Sequence, residues 1–550
     1  MSASPFITAI RRHAAERPRA TALTCGESRL DWAGFAASVA QAAAAFQRHG
    51  VSPGDRIAIV AAPSLAYVVL FFGGVAAGAC MVPMPSKSGA RTLERLIADC
   101  GPRLLIVDAA AVEILASCRP DGTAVIALDA GARSASSEAE SAPAVCAWSR
   151  FLRKTGAHFS GKCSRPAGTI ALDDLLAAVG HAPEPQPSAD APFNIIYSSG
   201  TTGTPKGIVH SSDMRFRQAS RDAFMIGADS VMLLATPLYS NTTLLPLLAT
   251  VFHGGHTVLM PKFDAEAYLR VAEAVRATHT MLVPVQYQRI VAHPRFDATD
   301  LSAFVLKQCT GAPLPVEVKR TLISRWSGRF LEVYGLTEGG CTVILDATAH
   351  PDKLATVGRP APGTDIRIID RRGNELPKGT TGETGEIVGR SGLMMTGYYG
   401  RPEDTEALLW RDREGNVFFR SGDLGAFDED GFLKIVGRKK DVVISGGFNV
   451  YASDLESVLL QHPAVREAAV IGIPSEAWGE TPWAVVALHD GRSADADEIR
   501  GWANARLDRM QRLAGVEIRP ALPRSEIGKI LKQELRAAYW TPASMGTERQ

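Results

Sequence analysis

The chain has no cysteine framework. Its eight cysteines are spread over 550 residues without one CxxC pair. That spacing excludes a disulfide-stapled secreted domain and suits free thiols in a reducing, cytoplasmic setting. Cys146, His158 and Cys163 lie near one another in sequence, but their spacing fits no zinc pattern. Charge of one sign is also missing. A formal net charge of +1 offers no field for nucleic acid or an anionic membrane. The N-terminus carries Arg11, Arg12 and Glu16 and lacks the apolar core of a secretory leader. One long uncharged run, Ile57 to Ser86, exceeds the roughly 20 residues that a spanning helix needs. Pro63, Gly73, Gly74, Gly78, Pro83 and Pro85 interrupt it. It reads instead as a buried βαβ unit: strand Ile57–Val60, helix 64–77 capped by Ser64, strand Ala79–Val82.

The length exceeds one ordinary core, and the hydrophobic (46%) and charged (21%) fractions are those of a globular, multidomain chain. Short apolar strands alternate with helices through the first half, which is α/β organisation. Phe35–Gln47 reads as a helix. Arg103–Val107, Val231–Ala235, Thr257–Met260, Thr280–Val283, Ala303–Gln308 and Phe330–Val333 read as strands, each followed by small or polar residues. Ligands collect at such strand ends. Residues of about 131–168 break the rhythm. They are rich in Ser and Ala, then basic through Arg150, Arg153, Lys154, Lys162 and Arg165, and read as a flexible surface excursion.

One stretch organises the rest. A predicted strand, Phe193–Tyr197, leads into Ser198-Ser199-Gly200-Thr201-Thr202-Gly203-Thr204-Pro205-Lys206-Gly207. It holds three glycines, five hydroxyls and one lysine. Glycines bring backbone N–H groups close to an anion, hydroxyls donate to phosphate oxygens, and Lys206 adds a cation. It is not a Walker A loop, which requires Gly-Lys-Ser/Thr four residues after a glycine. Further on, Tyr334-Gly335-Leu336-Thr337-Glu338-Gly339-Gly340 offers an aromatic face, a hydroxyl and a carboxylate within five residues. A tyrosine ring stacks on a base and a glutamate oxygen suits Mg²⁺.

These strings closely resemble the motifs of the adenylate-forming (ANL) superfamily, which includes acyl- and aryl-CoA synthetases, peptide-synthetase adenylation domains and beetle luciferases. The resemblance runs over nearly the whole chain, with 131–168 as the main departure. It starts as early as Gly50-Val51-Ser52-Pro53-Gly54-Asp55-Arg56. It implies a large N-terminal domain over 1–436, made of α/β subdomains and a β-rich subdomain. A hinge at 437–441 then leads to a small mobile α+β domain over 442–550. Gly382–Arg390, Gly397-Tyr398-Tyr399 and Phe418–Asp423 are assigned to the β-rich subdomain.

By the same resemblance, Tyr334 and Gly335 bind adenine, Thr337 contacts the α-phosphate and Glu338 coordinates magnesium. Gly311, Ala312 and Pro313 flank adenine and the acyl group. Asp423 of Ser421-Gly422-Asp423 takes the ribose hydroxyls, and Arg438 meets ribose or phosphate. Lys440 is the hinge. Ser445, Gly446 and Gly447 line the path of CoA. Lys529, in Pro523-Arg524-Ser525-Glu526-Ile527-Gly528-Lys529, matches the family's essential lysine. The same spacing matches what some bacterial lysine acetyltransferases recognise, so Lys529 is an expected acetylation target.

The implied activity is ATP- and Mg²⁺-dependent activation of a carboxylic acid as acyl-AMP, then transfer to CoA: an acid–thiol ligase. An acyl pocket is expected from Tyr239, Ser240, Asn241, Gln308, Cys309 and Gly340. That set holds no arginine or lysine, which favours a fatty or aryl monocarboxylate over a dicarboxylate. Two other readings stand beside it: an adenylating enzyme that loads a carrier protein in trans, and a degenerate ATP-binding scaffold. Lys529, Glu338 and Asp423 speak against the scaffold. Homo-oligomerisation is left open.

Overall fold

The computed structural model describes residues 4–115, 123–128, 169–171, 188–198, 205–377, 382–446, 448–525 and 528–540. The excursion at 131–168, the core of the phosphate segment (Ser199–Thr204) and Gly447 lie outside the described residues. Two compact units are present. One comprises Met1–Gly340, Asp346–Pro351 and Ser391–Ala407; the other comprises Cys341–Leu345, Asp352–Arg390 and Leu408–Gln550.

The first unit contains two sheets. In one, β3 (Arg56–Val60) and β4 (Cys80–Pro83) pair in parallel, and β5 (Leu104–Val107) lies on the other side of β3. The uncharged run is therefore a βαβ crossover. Its helix, Leu65–Ala76, is buried at all twelve positions, and Ser64 caps it by accepting from the Tyr67 N–H at 3.1 Å. Burial on every side explains the absence of charge without any bilayer. No helix among the described residues is long and apolar enough to cross a membrane.

β4 also pairs with β8 (Pro192–Ser198), which turns back antiparallel into β9 (Lys206–Ser211), with Ser198 opposite Lys206. The phosphate segment is thus the connection of a hairpin. The short strand Gly397–Tyr398 adds to β9, with Tyr398 opposite Ile208. This corrects the assignment of Gly397-Tyr398-Tyr399 to the β-rich subdomain. The segment docks by backbone pairing on the phosphate hairpin, and such pairing leaves no mark in local sequence.

The second sheet carries β10 (Val231–Leu234), β11 (His256–Leu259), β12 (His279–Leu282), β13 (Leu306–Thr310) and β14 (Arg329–Gly335) in the order β14-β13-β12-β10-β11, all parallel. β13 runs to Thr310, later than the expected Ala303–Gln308. The order reverses at β11. Right-handed crossovers therefore put the helix Asn241–His253 on one face and the helices Ala265–Ala274, Pro284–Val291 and Val316–Arg325 on the other. Contacts agree with this. Tyr287 meets Phe330 edge-on at 5.5 Å, and Lys319 pairs with Glu332.

In the second unit, strands Thr364–Ile369, Gly385–Ser391, Val417–Phe427 and Leu409–Arg411 form an antiparallel sheet, with Leu433–Arg438 added to Val417–Phe427. A further sheet has the order Phe448–Tyr451, Val442–Ser445, Gly479–Leu488, Val465–Ser475. Leu455, Leu459 and Ile499 pack helices Ala452–Leu459 and Ala496–Asn504 over Val443, Val470 and Val486. Leu535 closes another core with Ala469, Ile471 and Val485. Mixed α+β packing of the C-terminal part is as expected.

Candidate active site

In the first unit, the hairpin and the turn after β14 are held together by side chains. Lys206 leaves β9 and pairs with Asp404 at 2.9 Å, its ammonium 5.0 Å from the centre of the Tyr398 ring. Tyr398 donates its hydroxyl to Glu338 Oε1 at 2.8 Å, and burial beside that carboxylate raises its pKa. The strap that carries Tyr398 also holds the turn by its backbone. Met395 N–H donates to Glu338 O at 2.8 Å. Gly339 has φ +80°, and a Cβ there would lie 1.8 Å from Leu393 O, so only glycine passes. A second pair anchors the same strap. Asp99 accepts from Tyr197 at 2.6 Å and from Arg401 at 2.9 Å.

Beneath the turn sits a buried cation. Arg215, at 0% exposure, projects from the helix Ser212–Ala219. Its guanidinium donates to Asn194 Oδ1 (2.7 Å), Gln218 Oε1 (2.6 Å), Asn241 Oδ1 (2.8 Å) and His210 Nδ1 (3.0 Å). All four acceptors are neutral. Burial pushes its pKa down to about 9, which still leaves it charged near neutrality. Guanidinium has no acceptor, so His210 Nδ1 must accept and Nε2–H must donate, here to Thr337 O at 2.7 Å. Burial first, and the Arg215 charge next, hold the His210 pKa well below the ordinary range. A neutral, single-tautomer histidine thus ties Thr337 to Arg215.

The loop after β13 has its own support. Glu332 and Lys319 form a buried ion pair, and Glu332 Oε1 accepts from Leu314 N–H at 3.3 Å. This fixes the end of Gly311-Ala312-Pro313, where Gly311 has φ +94°. Strand alternation separates two expected pocket residues. Cys309 faces the side covered by Tyr287 and Lys319, where burial raises its thiol pKa. Gln308 faces the side of the helix Asn241–His253. Ser240 caps that helix from Thr242 N–H at 3.2 Å, and Tyr239 precedes the cap. Tyr334 and Gly335 end β14, and Gly340 follows with φ +80°.

In the second unit, Asp423 is 5% exposed and meets Arg438 at 3.1 Å across paired strands. Lys529 follows a turn closed by Ser525 N–H to Lys529 O at 2.8 Å, with Gly528 at φ +80°. Burial, then the Arg438 charge, lowers the Lys529 pKa to about 8, while Asp423 acts in the opposite direction. Lys440 is lowered too, mainly by burial, and its carbonyl accepts from Arg536 at 3.0 Å. Ser445 is buried. Gly446 has φ +55°, and a Cβ there would come within 2.6 Å of the Trp478 ring.

Sequence reasoning missed Arg215, His210, Asn194, Tyr398, Asp404 and Glu332. The Gly-Tyr-Tyr string was visible, but its partner was not. An arginine among Met214, Phe216 and Arg217 carries no signal of burial.

A phosphate-type hairpin, a Tyr-Gly-Leu-Thr-Glu turn and a lysine-bearing C-terminal loop define the class: enzymes that handle an adenylate. The chain belongs to the AMP-binding enzyme family, whose model matches residues 10–399, while the AMP-binding enzyme C-terminal domain matches residues 454–529. Within the adenylate-forming superfamily it falls in the acyl-CoA synthetase branch. It is 34% identical over 532 residues to a feruloyl-CoA synthase from Amycolatopsis, covering 96% of this chain and 98% of that one. It is 31% identical over 542 residues to an indoleacetate–CoA ligase from Aromatoleum aromaticum, covering 96% of each. ATP-bound MatB from Rhodopseudomonas palustris superposes with a TM-score of 0.82 at 28% identity, covering 98% of this chain and 99% of that one.

The residues fit a divalent ion delivered with ATP. Among the described residues no group of three or more His, Cys, Asp or Glu side chains could hold a metal alone. Glu338 offers one carboxylate, with Oε1 already accepting from Tyr398. Mg²⁺ characteristically takes one or two carboxylates plus substrate phosphates.

Proposed function

We propose that the protein is an AMP-forming acid–CoA ligase whose acid is an aryl or fatty monocarboxylate. The aryl acids named for the feruloyl and indoleacetate relatives favour the aryl class. The observation that carries the reading is the state of Lys529. It is half-buried beside Asp423 and Arg438, and its ammonium makes no hydrogen bond among the described residues. An ammonium whose donors find no acceptor among the described residues suits a bridge between two anionic oxygens.

In the first half-reaction a carboxylate oxygen of the acid attacks the α-phosphorus of ATP. The bond from that phosphorus to the bridging oxygen breaks, and pyrophosphate leaves. Lys529 holds the carboxylate and α-phosphate oxygens, Thr337 meets the α-phosphate, Tyr334 and Gly335 seat adenine, and Asp423 takes the ribose hydroxyls. Lys206 and the Ser198–Thr204 segment hold the outer phosphates. Mg²⁺ on Glu338 supplies neutralisation of phosphate charge. In the second half-reaction the CoA sulfur, its proton lost to solvent, attacks the acyl carbonyl, and AMP leaves.

The second step needs Lys529 replaced by the Ser445–Gly447 segment. We place the hinge for that exchange at 437–441, about Lys440, between domains 1–436 and 442–550. Acetylation of Lys529 would remove the bridging charge and switch off the first step. Loss of adenylation after treatment with a lysine acetyltransferase, and recovery after deacetylation, tests this.

Pyrophosphate release from ATP and Mg²⁺, over a panel of aryl and fatty acids with and without CoA, tests the main reading. Turnover that needs CoA and yields a thioester is the expected result. Pyrophosphate release without thioester would point to a carrier-protein acceptor. No release with any acid would overturn the ligase reading.

A further inference from the structure

A buried amide, imidazole and guanidinium lead from the phosphate hairpin to the turn that carries Thr337, and the proposed reaction uses none of the three. Asn194, His210 and Arg215 are each 0% exposed. Asn194 on β8 stands opposite His210 on β9. Their donors and acceptors fit together in one way. A guanidinium has no acceptor, so the Asn194 atom that meets Arg215 Nε at 2.7 Å is Oδ1. The amide is thereby turned with Nδ2 toward His210 Nδ1, at 3.2 Å. Arg215 Nη2 meets the same imidazole nitrogen at 3.0 Å. Two donors on Nδ1 demand a lone pair there. The proton of the neutral ring then sits on Nε2, which meets Thr337 O at 2.7 Å. The other tautomer would set N–H against N–H at Nδ1 and lone pair against lone pair at Nε2.

The rest of the turn is held through different atoms. Met395 N–H holds Glu338 O, Tyr398 holds Glu338 Oε1, and Gly339 N–H closes onto Leu336 O at 3.0 Å. None of these contacts is to the carbonyl of Thr337, which His210 takes. A peptide is planar, so fixing that carbonyl fixes the plane that follows the Thr337 Cα and helps set the direction in which its side chain leaves. The arginine in turn is anchored to Gln218 Oε1 (2.6 Å) and Asn241 Oδ1 (2.8 Å), outside the hairpin.

We infer that His210 is the positioning residue that aims Thr337 at the α-phosphate, and that Arg215 with Asn194 locks His210 into the one tautomer able to do so. This rests on the contact between Thr337 and the α-phosphate in the proposed reaction. In this role the histidine acts through the threonine, and no proton moves. A hydroxyl that donates to a phosphate oxygen makes a charge-assisted bond, whose strength depends on its aim.

The test needs no knowledge of the acid, because AMP carries the same α-phosphate. Calorimetric titration of the full chain with AMP and with adenosine gives the preference for AMP, which isolates the phosphate. His210→Asn puts an amide oxygen near the place of Nδ1, so Arg215 keeps its acceptor while the arm to Thr337 is gone. His210→Gln reaches about as far as Nε2 and keeps an N–H donor for Thr337 O. His210→Asn should lower the AMP preference about tenfold, inside the roughly hundredfold that a misplacement of about 1 Å can cost, with adenosine affinity unchanged. His210→Gln should stay close to the wild type. Thermal unfolding checks that each variant is folded. Imidazole ¹⁵N spectra should show, for the resonances that vanish in both variants, a neutral ring protonated on Nε2. A ring protonated on Nδ1 alone, an AMP preference unchanged in folded His210→Asn, or an equal loss for AMP and adenosine overturns this inference alone. Should His210→Asn not fold, the tautomer, or a His210→Gln protein that loses the preference, still overturns it. A wild-type protein that binds AMP no tighter than adenosine brings down the reading of the α-phosphate site on which this rests.

Discussion

Two lysines in this chain are driven toward neutrality by burial, yet their ammonium groups are placed differently. Lys307 is fully buried, and its pKa is pushed down to about 7. It donates to the carbonyls of Trp326 (2.7 Å), Ser327 (2.6 Å) and Gly328 (2.7 Å). All three ammonium donors are used on backbone. Those carbonyls follow the helix Val316–Arg325, where a cation also meets the negative end of the dipole. Lys529 is pushed down to about 8, but among the described residues its ammonium has no such partners, and it sits among the charges of Arg438, Asp423, Lys440 and Asp441. Burial alone does not mark a functional lysine. What separates the two is whether the donors are already satisfied.

The largest expected effect falls on Lys529. Lys529→Ala should lower adenylation about 10²–10³-fold, the usual loss of one donor at a developing charge. Conversion of supplied acyl-adenylate to thioester should be almost unchanged. Equal loss in both half-reactions would erase the contrast, because Lys529 would then be another structural cation. Lys307→Met is the mirror experiment. It strands three carbonyls and should destabilise the protein by about 3 kcal/mol in denaturant unfolding. Activity per folded molecule should stay at the wild-type level. A stable Lys307→Met protein with impaired adenylation would reverse the assignment.

Little of this contrast was visible in the amino-acid order. The motif strings singled out Tyr334, Thr337, Glu338, Asp423 and Lys529 as candidates because glycine and hydroxyl residues at fixed spacing carry local meaning. The α/β alternation was readable as well, since strand and helix periods differ. The buried charges were not. Lys307 looks like an ordinary residue of the Lys307-Gln308-Cys309 run until β14 and the turn at Trp326 close over it. Arg215 sits in a mixed helix, and its neutral cage is drawn from β8, β9 and the start of a helix 26 residues further on. Long-range pairing also hid the place of Tyr398. Such contacts follow from topology, and no window of neighbouring residues encodes them.

pH sharpens the comparison further. A lysine whose folded-state pKa is lowered is charged below that value and neutral above it. The proposed bridging role needs the charge, so kcat/KM for adenylation should fall as pH rises through about 8, tenfold per unit well beyond it. Lys529→Arg keeps a cation whose pKa lies far higher, and should carry the alkaline limb out of range even if its absolute rate is lower. Lys307→Met should leave that limb where it is. A limb that persists in Lys529→Arg would assign it to another group.

The smallest expected effect separates binding charge from holding charge on the other side of the reaction. Tyr398 gives its hydroxyl to Glu338 Oε1 and its ring to Lys206, so it touches both groups proposed to act on the phosphates. Tyr398→Phe removes only the hydroxyl. The ring remains for Lys206, and the Asp404 pair at 2.9 Å is untouched. Glu338 then loses the partner that orients it. Removing such an outer partner weakens metal binding about tenfold at the mild end. The Mg²⁺ concentration for half-maximal adenylation should rise by about that factor, with kcat recovered at saturating Mg²⁺ and KM for the acid unchanged. If kcat falls and Mg²⁺ cannot restore it, the hydroxyl supports the turn as a whole rather than the carboxylate. If nothing changes, the Gly339 backbone lock and Met395 suffice to hold Glu338, and the strap acts on the site through its main chain.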